Sequence, residues 1–309
     1  MDIKQLQALV GIADHGSFSG AASALDTVQS NISGRIARLE KELDTDLVDR
    51  STGRLTSSGE IVVVRARRIM SEVASIGADV VALDAAVQGE VSIGLIGTTG
   101  RWLVPQLLEA QRNRYPLIRL RIVEGTNSSL EPRLVSGQLE LAVLSQPISS
   151  PDITDTELFE EDLVLMVPVS DELAIAGKPV TLEQLATMDL LLPLTGTSIR
   201  REIDEACAAR GLKLRAIIEL DGMRTLASLA FDGYGRAILP ATALPSHLQD
   251  RFRAISVEGL PPRHVGLGVR RYGFPATPVR AIRQLLFQLV AETATLPQGV
   301  HPLVGPEMA

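Results

Sequence analysis

A regular stripe of apolar residues in the first third of the chain constrains the fold more than any other feature. Its steps alternate between four and three residues, which is the spacing of a heptad seam on one long helix; its members are Val62, Ala66, Ile69, Val73, Ile76, Val80, Leu83 and Val87. Ser57 and Glu60 have the spacing of a capping box at its start. Such a stripe commonly packs on the protein's own core. Its regularity, and its position between two differently patterned segments, favour pairing with a second copy and predict a homodimer.

Three short helices are predicted before this stripe. The first is indicated by Ile3, Leu6, Val10 and Ala13, and the second by Phe18, Ala21, Ala22 and Leu25 after an N-cap at Ser17. The third has Thr27 as N-cap and a buried arc of Val28, Ile32, Ile36, Leu39 and Leu43. The segment "LVDRSTGRLT" that follows reads as two short strands around a tip. These four elements together are typical of a winged helix-turn-helix.

The polar side of the third helix carries few charges and has the chemistry of base and phosphate recognition. It consists of Gln29, Ser30, Ser33, Gly34, Arg38 and Lys41. Gln forms hydrogen bonds with an adenine edge, Ser with bases or phosphates, and Arg with guanine or with the DNA phosphate backbone. Gly34 costs about 1 kcal/mol of helix propensity relative to Ala, which a close approach to DNA would offset. A solvated face is the ordinary alternative for an isolated helix, but the helix-turn-helix context favours DNA.

Net charge at first argues against this interpretation, because the chain carries −7 at neutral pH and phosphate binding usually requires a surplus of Lys and Arg. The distribution of charge matters more than the sum. Residues 27–39 hold two arginines and no acid, and residues 50–54 hold two more arginines. Two local basic patches are therefore present despite the negative net charge of the chain.

The segment "LQALVGIADHGSFSGAASALDTVQSNISGRIARLEKELDTDLVDR", followed by "LTSSGE", closely resembles the DNA-binding domain of LysR-type transcriptional regulators. The resemblance implies that Gln29, Ser30, Asn31, Ser33 and Arg35 face the operator, with Arg50 and Arg54 on flanking phosphates. It also implies a linker helix and a dimer, or a tetramer built as a dimer of dimers. The predicted DNA-binding set is Thr27, Gln29, Ser30, Asn31, Ser33, Arg35, Arg38, Arg50 and Arg54.

From Gly89 onward the pattern changes to strands that alternate with helices. "EVSIGLIG", a helix over 101–114, "LIRLRIVEG" and "LELAVL" are followed by a second series that includes "DLVLMVPV", a helix over 199–210 and "RAILP". This alternation is typical of mostly parallel α/β sheets. The family resemblance implies an effector-binding domain with two lobes, like those of periplasmic solute-binding proteins, joined by crossing strands near 162–167 and 265–269.

Several predicted strands end in loops that carry hydroxyl or amide groups. In open α/β sheets a ligand lies beyond the carboxyl ends of the strands and against helix N-termini, which favour anions. We therefore predict a small, anionic effector in a cleft between the lobes, bound by Thr98, Thr99, Thr126, Asn127, Thr195, Thr197, Ser198 and Met223. Ser and Thr at such positions are also ordinary N-caps, which is the alternative interpretation for each of them.

Enzymatic and metal-binding functions are not supported by any motif. The four histidines are scattered without ligand spacing, and "GLIGTTG" does not match the dinucleotide fingerprint. The lone cysteine, Cys207, excludes an internal disulfide and is expected to be a buried structural thiol. No cofactor and no metal are predicted. The N-terminus lacks the features of a signal peptide and no apolar run is long enough for a membrane span, so a cytoplasmic protein without a membrane partner is expected.

The predicted organisation is an α/β chain with an N-terminal all-α winged helix-turn-helix domain. The predicted ranges are 1–57 for that domain, 58–88 for the linker and dimerisation helix, 89–296 for the effector-binding domain and 297–309 for a flexible tail; lobe I covers 89–163 and 266–296, and lobe II covers 164–265. The favoured function is an effector-responsive regulator that binds a two-fold operator. The alternative is a cytoplasmic small-molecule-binding protein or enzyme whose N-terminal helices serve assembly.

Overall fold

The N-terminal domain has the three predicted helices, α1 (Ile3–His15), α2 (Phe18–Ala24) and α3 (Gln29–Leu43). A computed structural model describes residues 1–81, 86–273, 275–292 and 296–303 of the chain. Ser17 caps α2, since its Oγ accepts a hydrogen bond from the Gly20 amide at 3.0 Å. The hairpin is minimal. Val48 and Leu55 form one antiparallel bridge, and the Thr56 amide donates to the Leu47 carbonyl at 3.0 Å.

The start of α3 differs from the prediction. Val28, not Thr27, occupies the cap position, and the Thr27 hydroxyl instead accepts from the Asn31 side-chain amide at 3.0 Å. The predicted buried arc is correct at its centre, where Ile32, Ile36 and Leu39 are fully buried, and wrong at its ends, where Val28 is 60% and Leu43 is 38% exposed. Val28 precedes the helix in extended conformation, so the helical arc does not apply to it.

Helix α4 (Ser57–Val81) is the linker helix. Its cap is Thr56, whose hydroxyl accepts from the Gly59 amide at 3.0 Å, rather than the predicted box of Ser57 and Glu60. Gly59 is required here because a Cβ at this position would lie 2.1 Å from the Leu47 carbonyl oxygen. The predicted helical range 58–88 is too long at its end, since residues 86–88 are not helical.

The apolar stripe of α4 serves two purposes. Ala66 is fully buried in the core of the N-terminal domain of its own chain and Val62 packs against that core, so the prediction that Ala66 pairs with a second chain is wrong. In contrast, Ile69, Val73 and Ile76 are 39%, 47% and 65% exposed. Val87 packs on the core of the next domain. The Val80 side chain and Leu83 lie outside the described residues.

Lobe I is built on a six-stranded mixed sheet. Its elements are β1 (Gly89–Ile96), α5 (Gly97–Arg114), β2 (Ile118–Gly125), α6 (Asn127–Val135), β3 (Leu141–Ser145) and β4 (Ile153–Glu161). Strand β1 pairs in parallel with both β2 and β3. Two strands from the end of the chain, β11 (Arg263–Arg270) and β12 (Val300–Pro302), complete the sheet in the order β12-β4-β11-β3-β1-β2. Helix α11 (Thr277–Ala291), which lies between them in sequence, packs on the lobe I core.

Lobe II is built on a second six-stranded sheet with the order β6-β10-β5-β9-β7-β8. Its elements are β5 (Leu163–Pro168), α7 (Glu172–Ala176), β6 (Val180–Thr181), α8 (Leu182–Leu185), β7 (Asp189–Pro193), α9 (Ser198–Ala208), β8 (Arg215–Leu220), α10 (Met223–Phe231), β9 (Arg236–Pro240) and β10 (Phe252–Glu258), with 3-10 turns at Ala241–Ala243 and Ser246–Leu248. The chain passes between the lobes at Asp162 and at 259–262, so both crossings come slightly earlier in the chain than the predicted boundaries at 163/164 and 265/266.

The predicted flexible tail is wrong for its central part. Residues Val300–Pro302 form a strand that pairs antiparallel with β4, and Val300 is only 7% exposed. The strand forms because β4 offers an open sheet edge with unpaired backbone groups and Val300 can bury its side chain against the lobe I core. Residues 304–309 lie outside the described part.

Candidate functional site

The polar side of α3 is accessible, as a DNA-reading surface requires. Gln29, Ser30, Asn31 and Arg38 are exposed, and Thr27, Ser33 and Arg35 are half-buried. A Cβ at Gly34 would meet no atom within 4 Å, so packing within the chain does not require a glycine there. The Arg38 Nε donates to the Gly34 carbonyl at 3.1 Å, which places its guanidinium along the same surface.

The two predicted phosphate contacts differ in how they are held. Arg50 donates from Nη2 to the Glu40 carboxylate at 2.8 Å and lies 5.6 Å from the centre of the Phe18 ring. Glu40 is itself fixed, because its other oxygen accepts from the amides of Leu47 and Val48 at 2.9 and 3.1 Å. Arg54 is exposed at the tip of the hairpin. Arg50 is therefore oriented by the domain, whereas Arg54 extends into solvent.

A cleft of about 1070 Å³ lies between the two lobes. Four helices begin at its walls: α5 and α6 from lobe I, and α9 and α10 from lobe II. Each helix N-terminus carries amides without helical partners and a partial positive charge. The cleft therefore has the electrostatic character of an anion-binding site.

Thr98, in the first turn of α5, is the most unusual residue of the cleft wall. It is only 2% exposed, and its hydroxyl is buried without a hydrogen-bond partner. A buried polar group left unpaired costs about 1–3 kcal/mol, so a bound ligand atom that pairs with it would recover that energy. The helix begins at Gly97, four residues before the predicted start, and this is what places Thr98 inside the wall.

Most of the predicted effector residues meet at this cleft. Its lining includes Thr98, Thr126, Asn127, Thr195, Thr197, Ser198 and Met223. Thr99 is the exception. It is fully buried behind the wall and its hydroxyl accepts from Arg263 Nη2 at 3.3 Å. Thr99 points away because consecutive residues of a helix lie about 100° apart.

Charged residues in the cleft were missed by the sequence analysis. Arg224 at the start of α10 forms an ion pair with Glu124 at the end of β2, which joins the two lobes across the cleft. Glu124 lies two residues before Thr126 and Arg224 directly follows Met223, so the charged neighbours of the predicted residues could have indicated both. Arg201, one turn into α9, also lines the cleft.

The floor of the cleft contains a buried ion pair at the crossing between lobes. Arg263, at the start of β11, pairs with Glu161, at the end of β4, and neither side chain is more than 3% exposed. Glu161 also accepts from the Thr242 amide of lobe II at 2.7 Å. No signal in the sequence indicated Arg263, because it lies far from the carboxyl end of any lobe I strand along the chain.

A metal site outside the cleft requires several titratable side chains close together. Within the described ranges no group of three or more His, Cys, Asp or Glu side chains could hold a metal ion, and no helix there is long and apolar enough to cross a membrane. Cys207 in α9 is 1% exposed, and burial raises the pKa of its thiol. Burial likewise raises the pKa of the neighbouring Glu202 carboxyl.

Family models match both parts of this architecture. Residues 3–60 match the bacterial regulatory helix-turn-helix protein, lysR family, and residues 84–291 match the LysR substrate binding domain. The chain belongs to the LysR family. This family comprises transcriptional regulators rather than enzymes, and its members bind operator DNA and small-molecule effectors and form oligomers.

Individual LysR-family proteins extend the match over the whole chain. A probable hydrogen peroxide-inducible genes activator of Streptomyces viridosporus is 30% identical over 275 residues, which cover 87% of this chain and 88% of that protein. A full-length OxyR variant of Pseudomonas aeruginosa shares the fold with a TM-score of 0.78 at 23% identity and 97% coverage of both chains. Full-length CbnR in complex with its target DNA has a TM-score of 0.66 at 23% identity, covering 94% of this chain and all of that one.

Proposed function

We propose that this LysR-family regulator binds a two-fold operator as a dimer, or as a dimer of dimers, and responds to a small anionic effector held in the interlobe cleft. The unpartnered hydroxyl of Thr98 carries the proposal for the effector. It lies at one of four helix N-termini around the cleft, whose lining also includes Arg201 and the ion-paired Arg224 and Arg263. We place the protein in the cytoplasm, where its operator DNA lies.

A carboxylate is the ligand chemistry that fits these groups best. Its oxygens accept from helix N-terminal amides and from a hydroxyl at the same time. Three acidic residues, Glu124, Glu131 and Asp221, also line the cleft. Glu124 is paired with Arg224, and Glu131 accepts from the amides of Ser149 and Ser150 at 3.2 and 3.1 Å. These partners offset much of the repulsion that Glu124 and Glu131 would exert on an anion.

Thr98→Val tests the effector site. We expect that a carboxylate found by thermal-shift screening of small mono- and dicarboxylates loses about 1 kcal/mol or more of binding free energy, because the hydroxyl is removed at nearly constant volume. Calorimetric titration measures the loss. Thr154→Val, an exposed position on β4, is the matched control and should leave ligand affinity unchanged. Equal affinity for wild type and Thr98→Val would place the ligand elsewhere.

Sensing of peroxide through thiol oxidation, suggested by the names of several relatives, is disfavoured by the thiol content of this chain. Cys207 is its sole cysteine, so no intramolecular disulfide can form. Thiolate is the reactive species, and burial raises the pKa of this thiol. Ligand binding, rather than thiol oxidation, is therefore the proposed signal.

Base reading and phosphate binding by the N-terminal domain can be separated by two substitutions. Gln29→Ala is expected to lose about 1–3 kcal/mol of discrimination at particular operator positions, while weak non-specific binding persists. Arg54→Ala should weaken binding evenly on all sequences and reduce the logarithmic salt slope by about 0.9. Binding to a selected operator, its single-base variants and unrelated DNA at several salt concentrations measures both effects. An equal loss on every sequence would rule out base reading by Gln29.

A further inference from the structure

A cluster of arginines joins the linker helix to lobe I at the C-terminal end of α6. Arg68 of α4 donates from Nε to the Val135 carbonyl at 3.2 Å and lies 3.8 Å from the Asp152 carboxylate. From lobe I, Arg270 donates from Nη2 to the Ser71 hydroxyl at 3.2 Å. We refer to these contacts, together with those of Arg67, as the linker junction.

Arg67 extends the linker junction to the DNA-binding domain. Its guanidinium forms an ion pair with Asp14 of α1. The same guanidinium donates to the side-chain oxygen of Gln138 in lobe I when the Gln138 amide is turned so that its oxygen, rather than its nitrogen, faces Arg67. The Arg67 side chain is only 11% exposed. One residue of α4 therefore contacts both domains that the linker helix separates.

The surfaces at the linker junction approach each other closely. Gly137, which follows α6, has a φ of +80°, and a Cβ there would lie 2.5 Å from Arg270 Nη1 and 3.8 Å from the Arg67 carbonyl carbon. The absence of a side chain at Gly137 thus leaves room for the Arg270 guanidinium, and the backbone of Arg67 lies in ordinary contact distance. Burial lowers the pKa of the Arg270 guanidinium, although the carboxylates of Glu140 and Glu72 oppose this shift.

The linker junction also shares residues with the effector cleft. Val135 lines the cleft while its carbonyl accepts the hydrogen bond from Arg68. Ser149 and Ser150 line the cleft two to three residues before Asp152, and the Glu131 carboxylate of α6 accepts hydrogen bonds from both of their amides. A movement of α6 or of this loop in response to a ligand would change the contacts of Arg68 directly.

We propose that Arg67 and Arg68 fix the orientation of the DNA-binding domain relative to lobe I, and thereby determine which operator half-site spacing the regulator accepts. In a dimer, a fixed orientation of each recognition helix selects half-sites separated by whole helical turns. Loss of the junction allows each N-terminal domain, together with the linker helix on which it packs, to move relative to lobe I, so that more spacings are bound. The inference rests on the proposed two-fold operator.

Selection of DNA with variable half-site spacing tests the proposal. DNA selected by the wild-type protein from a random library is rebuilt with spacers shortened or lengthened by up to half a helical turn, about 5 base pairs. We expect Arg68→Ala to bind the best spacing with affinity close to that of wild type, and to reduce the preference over the worst spacing by about tenfold or more, the ratio that corresponds to ~1.4 kcal/mol. Arg65→Ala, an exposed arginine of the same helix, is the matched control.

Hydrogen exchange of the free proteins provides a second measurement that needs no DNA. Amides in 131–137 and 149–152 should exchange faster in Arg68→Ala than in wild type or Arg65→Ala, while the cores of both lobes keep their protection. If the wild-type protein binds all half-site spacings with equal affinity, the proposed two-fold operator is wrong, and this inference is wrong with it. A wild-type preference that Arg68→Ala retains in full, with unchanged exchange, would overturn the inference alone.

Discussion

Val73→Lys with Ile76→Lys is expected to convert the protein to monomers and to reduce operator affinity by about 10²–10⁴-fold, the factor lost when two linked binding events become independent. Both side chains are exposed in the single chain, at 47% and 65%, so the new ammonium groups are solvated in a monomer. In a dimer they would be buried without partners, which costs several kcal/mol. Sedimentation velocity and operator titration measure the two effects.

A matched control distinguishes dimer disruption from a general effect of added charge. Ile175 of α7 is 75% exposed on lobe II, and Ile175→Lys should leave both the oligomeric state and operator affinity unchanged. Circular dichroism should show that each variant keeps its helical content. If the double variant sediments as wild type does, the exposed part of the stripe does not form the interface, and the proposed arrangement of the operator complex is wrong.

Gly59→Ala is expected to destabilise the N-terminal domain by about 2–3 kcal/mol, the upper part of the usual range for overpacking. The added methyl group would lie 2.1 Å from the Leu47 carbonyl oxygen and 3.0 Å from the Leu47 carbonyl carbon. Because both atoms belong to the backbone, the hairpin must move away from α4. Chemical denaturation of the full-length protein, followed by a probe in the N-terminal domain, measures the loss.

Gly34→Ala is the control for this substitution, because it makes the same chemical change within another helix. No atom lies within 4 Å of the added methyl group, and alanine has a higher helix propensity by about 1 kcal/mol. We therefore expect Gly34→Ala to stabilise the domain by up to that amount. Destabilisation of similar size in both variants would mean that the close contact at Gly59 is not the cause.

Much of the architecture follows from local patterns in the sequence. The spacing of Ile32, Ile36 and Leu39 predicts the buried side of α3, because apolar residues at this spacing form one stripe that must face the core when the helix packs. The change from helical spacing to alternating strands near Gly89 likewise predicts a separate α/β domain. The predicted ranges of α5 and α9 differ from the structure mainly at their ends, because capping interactions rather than hydrophobic periodicity determine where a helix begins and ends.

Residue environments that depend on tertiary contacts could not be predicted in this way. The heptad stripe is uniform in sequence, yet Ala66 lies in the core of its own domain and Val73 is exposed, because the N-terminal helices cover only the first turns of α4. Val300 belongs to a segment rich in Pro and Gly, and it forms a strand only because the edge of β4 is open.

The effector cleft shows the same division between sequence and tertiary structure. Strand ends followed by Ser, Thr and Asn were sufficient to predict most of its wall, since the carboxyl ends of parallel strands meet at one edge of a sheet. The sequence could not decide between Thr98, which lines the cleft, and Thr99, which bonds Arg263 behind the wall. It also gave no indication of Arg263, since this residue reaches the cleft only through the crossing of β11 between the lobes. Sequence by itself determined the family, the division into an N-terminal helical domain and an α/β domain, and the elements with clear periodicity, because these depend on local spacing. The tertiary structure alone decided which side chains meet, because that depends on how distant segments pack.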